Sequence, residues 1–98
     1  MASNVKIDSA AREEFNEALD WYAKRSVGTA IGFATAIDAA IEKISVDPLR
    51  FPKTFADCQR CSVERYPYCV IFYQNGDEIV IVAIAHSKRS PGYWRRRM

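Results

Sequence analysis

Cys69-Val70-Ile71-Phe72-Tyr73-Gln74-Asn75-Gly76-Asp77-Glu78-Ile79-Val80-Ile81-Val82-Ala83-Ile84-Ala85 decides the fold. Two β-branched and aromatic runs flank Asn75-Gly76. An Asn-Gly pair between such runs is the strongest short hairpin signal, because Asn and Gly tolerate the positive φ a tight turn demands. The second run is apolar at every position from Ile79 to Ala85. A strand with one wet face alternates; this one does not, so it is expected to be central and covered on both sides.

Upstream, Cys61 to Tyr66 alternates loosely and is read as a third strand, ended by Pro67. Residues 48–57, which hold Pro48 and Pro52, read as a loop. Before them the period changes to that of a helix. Ala11, Phe15, Ala18, Leu19 and Tyr22 form one apolar stripe, and Asp8 or Ser9 is placed to cap it. Gly28 is taken as the break. Ile31, Ala34, Ile37, Ile41 and Ile44 form the stripe of a second helix reaching about Ser45, with Phe33 and Ala40 beside it, stopped by Asp47-Pro48. A connection this short makes the helices antiparallel. Residues 3–7 read as a short first strand, with Val5 and Ile7 on one face. The order is β-α-α-β-β-β followed by a basic tail, an α+β fold. The helical hairpin is expected on one face of an antiparallel sheet, since the stripes and the sheet face both need burial.

The chain has 98 residues, 49% apolar and 27% charged, which suits a single globular domain over 1–98 and argues against disorder. No stretch approaches the ~20 apolar residues of a membrane helix, and no basic-then-apolar signal peptide opens the chain. Three cysteines do not fit a secreted disulfide framework, so a reducing cytoplasm is expected. The net charge of +2 is unevenly spread. Residues 1–85 hold nine basic and twelve acidic side chains, net −3; residues 86–98 hold five basic and no acidic ones, net +5. A basic tail predicts an acidic partner: a nucleic acid, a machine that works on one, or an acidic protein segment.

Three places invite chemistry. Cys58-Gln59-Arg60-Cys61 has CxxC spacing, and Cys69 and His86 could complete a zinc set. No glycine forms a metal knuckle there, and the cysteines suit strand packing, so no metal and no cofactor is expected. His86, the only histidine, ends the most apolar strand; it is a general acid or base there, or a strand-end residue bonded to backbone. The segment from His86 to Trp94 combines a titratable group, the cations Lys88 and Arg89, and the rings Tyr93 and Trp94. Phosphodiester cleavage or single-strand RNA binding uses that combination; the alternative is a solvated tail whose rings pack back on the fold. Asp and Glu are scattered over the helices and read as a solvated face.

Four stretches bear a family likeness: Ala18-Leu19-Asp20-Trp21-Tyr22, Asp47-Pro48-Leu49-Arg50-Phe51-Pro52, the run Arg65-Tyr66-Pro67-Tyr68-Cys69-Val70-Ile71-Phe72-Tyr73, and the run from Val82 through Ala85-His86-Ser87-Lys88-Arg89 to Trp94. In these the chain resembles the RelE/ParE superfamily of toxins from type II toxin–antitoxin modules, over nearly its whole length. The resemblance implies a growth-arresting protein neutralised by a cognate antitoxin protein. RelE-like members are ribosome-dependent endonucleases that cut mRNA with basic and tyrosine side chains. ParE-like members poison DNA gyrase and have no recognised catalytic residues.

RelE-like enzymes typically place an arginine in the strand opening the hairpin, where this chain has Cys69. The Tyr-Pro-Tyr, Ile-Phe-Tyr and Ala-His-x-x-Arg pattern looks more like the ParE side. The resemblance therefore implies gyrase poisoning without catalysis, with Arg60, Arg65, Lys88, Arg89, Tyr93, Trp94, Arg95, Arg96 and Arg97 as target-contacting residues. Its alternative is ribosome-dependent mRNA cleavage, in which His86 or Tyr93 moves protons and Lys88 and Arg89 offset phosphate charge; a third reading is an inactive member that only binds its antitoxin. The antitoxin is expected on the helical hairpin surface with Trp21 as anchor, unless Trp21 is ordinary packing.

Overall fold

The computed structural model describes residues 4–98, so Ser3, the expected start of the first strand, lies outside the described residues. Strand β1 spans Asn4–Ile7, helix α1 Ser9–Ala23 and helix α2 Val27–Val46. Strands β2, β3 and β4 span Gln59–Ser62, Tyr68–Asn75 and Glu78–His86. Short 3-10 turns occupy Pro48–Arg50 and Tyr93–Arg97. The four strands form one sheet in the order β1-β4-β3-β2, which puts β4 at the centre as its sequence required.

The sheet is mixed and not wholly antiparallel. β1 pairs with β4 in parallel, with Asn4 opposite Glu78 and Ile7 opposite Ile81, while β2·β3 and β3·β4 are antiparallel. Only a tight hairpin forces reversal; β1 is separated from β4 by both helices, β2 and β3, and is free to pair either way.

Local chemistry explains most boundaries. The Asp8 carboxylate accepts from the Ser9 amide, and the Ser26 hydroxyl accepts from the Thr29 amide to start α2. The break between the helices therefore lies before Ser26, and Gly28 falls inside the first turn of α2. The buried side of α2 is Ala30, Phe33, Ile37, Ala40 and Ile44, rotated from the predicted stripe, so that Ile31 is 62% exposed. β2 starts two residues before the expected strand and stops at Ser62. The chain then turns through Arg65, whose φ is +70°. In the β3–β4 hairpin Asn75 pairs with Glu78, so the two-residue loop is Gly76-Asp77. Positive φ at Gly76 (+61°) and not at Asp77 is the type II′ pattern, which wants glycine first.

Both faces of the sheet are covered. The helices bury one face, where Phe33, Ile37 and Ile44 pack on Val70, Phe72, Ile79, Ile81 and Ile84. The other face carries Ile71, Val82, Ala83 and Ala85 and is covered by Cys58, Phe55, Tyr93 and Trp94. The expected tail is thus the second layer of the molecule, and Trp94 is only 5% exposed. A bulge makes the two faces compatible. Ile71 pairs with Ala83 and Phe72 with Ile81, which leaves Val82 unopposed. Val82 and Ala83 consequently both lie in the second cluster, and Ile84 returns to the helix side.

Two polar contacts tie loops and helix to the sheet, one buried and one exposed. Gln59, 4% exposed, donates to the Pro48 and Phe51 carbonyls at 2.7 and 2.9 Å and accepts from Gln74 at 2.8 Å. The Tyr66 hydroxyl donates to the Thr29 carbonyl at 3.1 Å, passing over Gly32, where a Cβ would lie 2.5 Å from it.

Candidate functional site

Where β4 ends, α1 and the turns after His86 enclose an open cleft of about 490 Å³. Ala18 and Ile84 contribute apolar lining; Trp21, Tyr22, Tyr68, His86 and Tyr93 supply rings; Glu14, Glu17 and Arg89 supply charge. Of the residues expected to carry chemistry, the cleft brings together His86, Arg89 and Tyr93, and Lys88 is outside its lining.

The hydrogen bonds of His86 are those of a strand-end residue. Its Nδ1 accepts from the Lys88 backbone amide at 3.0 Å, its carbonyl accepts from Arg89, and the Tyr68 ring meets it edge-on at 5.0 Å. That bond leaves Nε2 as the protonated nitrogen of the neutral ring.

Tyr93 is committed as well. Its hydroxyl donates to Glu14 Oε2. Burial, reinforced by this hydrogen bond and by the Glu14 charge, pushes the Tyr93 pKa far above its ordinary value against the smaller pull of Arg89 and Arg97.

The centre of this network is Glu14, which sequence reading took for part of a solvated face. Its Oε1 accepts from Arg97 Nη1 at 2.9 Å and from the Ile84 amide at 3.0 Å, and Arg97 Nη2 lies 3.2 Å from Oε2. Arg97 Nη1 also donates to the Val82 carbonyl at 3.0 Å. β1 has ended by then: its last contact is the Asp8 amide on the Ile81 carbonyl. The Glu14–Arg97 pair therefore satisfies the stretch of β4 edge that β1 leaves open. The pair is mostly enclosed, with side chains 15% and 22% exposed, and the Glu14 hydrogen bond raises the Arg97 pKa. A sequence signal existed. Glu14 lies three residues after Ala11 and four before Ala18, both buried, so it falls on the stripe that faces inward.

The remaining candidates are dispersed. Lys88, Arg89, Arg95 and Arg96 are exposed and make no ion pair among the described residues. Arg60 is exposed on β2 opposite Ile71, which puts it on the sheet face that Trp94 covers. Arg65 lies in the β2–β3 turn, beside the α2 side chains Lys43 and Ala39. Trp21 is 51% exposed, its ring covered by the Arg25 guanidinium at 3.4 Å.

Cys58, Cys61 and Cys69 are free thiols, and no three His, Cys, Asp or Glu side chains among the described residues are grouped to hold a metal. Burial pushes the Cys58 and Cys61 thiols up, which suits packing and not nucleophilic use. Among the described residues no helix is long and apolar enough to cross a membrane.

Known proteins share this arrangement. The chain is similar over 87% of its length, and over 96% of the matched chain, to a structure of the chromosomal ParDE toxin–antitoxin system from P. aeruginosa, with a TM-score of 0.74 and 19% identity. It is also similar to a chain of the toxin–antitoxin complex RelBE2 from Mycobacterium tuberculosis, with a TM-score of 0.59, 18% identity and coverage of 88% and 99%. At these identities the likeness is one of fold. No curated protein sequence matches significantly. The sequence pattern of one family, the ParE toxin of the parDE type II toxin–antitoxin system, matches residues 5–91, from the first strand to the turn after the last. With that match over most of its length, and with the two-helix, four-strand fold beneath it, the chain belongs to the ParE family of type II toxin–antitoxin toxins.

Proposed function

We propose that this toxin arrests growth by poisoning DNA gyrase and breaks no bond in its substrate itself. The commitment of Tyr93 carries the reading: its hydroxyl is spent on Glu14 and its proton is held more tightly than in free tyrosine. General acid–base catalysis wants a group that titrates near the working pH, and Tyr93 is moved the other way. Three further features agree. Arg97 is neutralised by Glu14, His86 Nδ1 is tied to backbone, and Cys69 stands in β3 where a RelE-like nuclease typically has arginine. The action is assigned to the cytoplasm, where gyrase works and free thiols stay reduced.

The partner in the resting state is a cognate antitoxin, as in the complexes whose toxins share this fold. Trp21, exposed at the rim of the cleft, is its proposed anchor on the helical hairpin.

The deciding assay incubates purified toxin with gyrase, ATP and supercoiled plasmid, then denatures the enzyme. Accumulation of linear plasmid is expected, and intact supercoiling at a large toxin excess would reject the reading. Mapping new 5′ ends in translated mRNA minutes after induction tests the second reading. That reading is ribosome-dependent cleavage, favoured by the convergence of His86, Arg89 and Tyr93 on one cleft. Codon-phased cuts that vanish in the Lys88→Ala, Arg89→Ala variant establish it and displace gyrase.

A further inference from the structure

The turns after β4 carry four exposed cations, three of which lie beside Tyr93. Arg89 lays its guanidinium over Tyr93 at 3.9 Å from the ring centre. On the neighbouring side Arg95 and Arg96 line an open hollow with Pro91, Gly92 and Tyr93. Lys88 is exposed beside Arg89. The fifth cation of this segment, Arg97, is withdrawn into its pair with Glu14, and that pair anchors the Tyr93–Arg97 turn that carries Arg95 and Arg96. Lys88, Arg89, Arg95 and Arg96 are left as four positive charges within nine residues, with no carboxylate paired to them among the described residues.

The rings beside these charges decide what they can hold. Single-strand binding needs open aromatic faces for bases to stack on. Trp94 is buried, Tyr93 has Arg89 and Arg97 over its ring, and Phe55 has Arg95 over its ring at 5.0 Å. These turns offer cations for phosphates and no uncovered ring of their own for a base; the rings of Trp21, Tyr22 and Tyr68 belong to α1 and β3 on the cleft wall. Resting on the gyrase reading, we infer that Lys88, Arg89, Arg95 and Arg96 form a sequence-independent contact with the phosphate backbone of double-stranded DNA, the duplex that gyrase holds. The toxin would then bridge enzyme and DNA and not grip the enzyme alone.

Counterion release supplies the test. Four phosphate contacts give a slope of log K against log salt of about −3.6, from roughly −0.9 per contact on B-DNA. Binding of the purified toxin to a fluorescent 30-bp duplex of arbitrary sequence should then weaken about 150-fold between 50 and 200 mM salt. The Arg95→Gln, Arg96→Gln variant should halve the slope and cut the loss to about 12-fold. Lys24→Gln with Lys53→Gln removes the same net charge elsewhere and should leave the slope at its original value. Circular dichroism checks that each variant is folded.

No binding to duplex at 50 mM salt, or a slope indifferent to Arg95 and Arg96, overturns the proposal. So does tighter binding to single-stranded RNA of equal charge. Tighter binding to polyglutamate of equal charge reassigns the surface to an acidic protein and equally overturns it. Gyrase is absent from this assay, so its outcome is separate from that of the plasmid assay. If the wild type binds duplex but traps no gyrase, the gyrase reading fails alone. If the Arg95→Gln, Arg96→Gln variant traps gyrase as well as the wild type, the bridging role fails alone.

Discussion

Glu14 and Arg97, 83 residues apart, meet at 2.9 Å and together satisfy the amide of Ile84 and the carbonyl of Val82 on the central strand. One carboxylate thus ties the first helix, the sheet and the last turn into one unit. Removing it leaves a mostly enclosed guanidinium, a tyrosine hydroxyl and a strand amide without their partner. Each orphaned buried group costs about 1–3 kcal/mol, and the groups share one network, so the sum is less than additive. Glu14→Ala is expected to lower stability by about 3 kcal/mol, some 12–24 °C in melting temperature for a domain of this size. Glu14→Gln should lose roughly half as much. A Glu14→Ala melt within about 2 °C of wild type contradicts this account of the network.

Alkaline stability follows from Tyr93. Its pKa is raised in the fold by burial and by Glu14, so the folded state holds the proton more tightly than the unfolded chain. The contribution is complete below the unfolded tyrosine pKa of about 10 and is lost as pH rises through that value toward the folded one. The raised thiols of Cys58 and Cys61 and the raised hydroxyls of Tyr22 and Tyr68 act in the same direction. Urea midpoints should hold steady near neutrality and fall above about pH 9, and Tyr93→Phe should make the decline shallower. Equal slopes for the two proteins remove Tyr93 as a cause.

Gly32 and Tyr66 form a second testable pair. Alanine is about 1 kcal/mol better than glycine inside a helix, yet a Cβ at Gly32 would strike the Tyr66 hydroxyl at 2.5 Å. Gly32→Ala alone is therefore expected to destabilise, because Tyr66 must leave the Thr29 carbonyl while its ring is packed on Phe33 and Tyr22. In a Tyr66→Phe background the same change should stabilise by about 0.5–1 kcal/mol. A double-mutant cycle in urea reads the coupling directly, and a value near zero means the approach over Gly32 is not tight.

Thiol accessibility separates the three cysteines. Cys58 and Cys61 are buried, and Cys69 is partly exposed. Ellman's reagent should label one thiol quickly and two only at the rate of local or global opening. Cys69→Ser should abolish the fast phase, and a fast phase that persists would place an exposed thiol elsewhere.

Composition and period made much of this legible. The β-α-α-β-β-β order, both helices and the central position of β4 follow from stripes, from Asp47-Pro48 and from an apolar run with no wet face. The rest was hidden for identifiable reasons. Because Ile79 to Ala85 is apolar throughout, nothing in it marks the bulge at Val82. Strand direction for β1 depends on how the intervening chain returns and not on Val5 or Ile7. The packing of Tyr93 and Trp94 back on the fold was one of two readings of the tail, but nothing in residues 95–97 marked Arg97 as the one that Glu14 neutralises. Of the candidate site, His86, Arg89 and Tyr93 were found by residue type. Glu14 was missed because a carboxylate on a helix is usually wet, and only its place on the inward stripe told otherwise.

The parallel pairing of β1 with β4 also sets an order of assembly. The β3–β4 hairpin closes through two residues, while Asn4 must find Glu78 across nearly the whole chain. Loop closure over that span is entropically unfavourable and slow compared with a hairpin. β1 is therefore expected to dock last, and the Glu14–Arg97 pair closes a contact of similar span. Pulsed hydrogen exchange should show Val5 to Ile7 protected after Ile79 to Ile81, and simultaneous protection would refute this sequence of events.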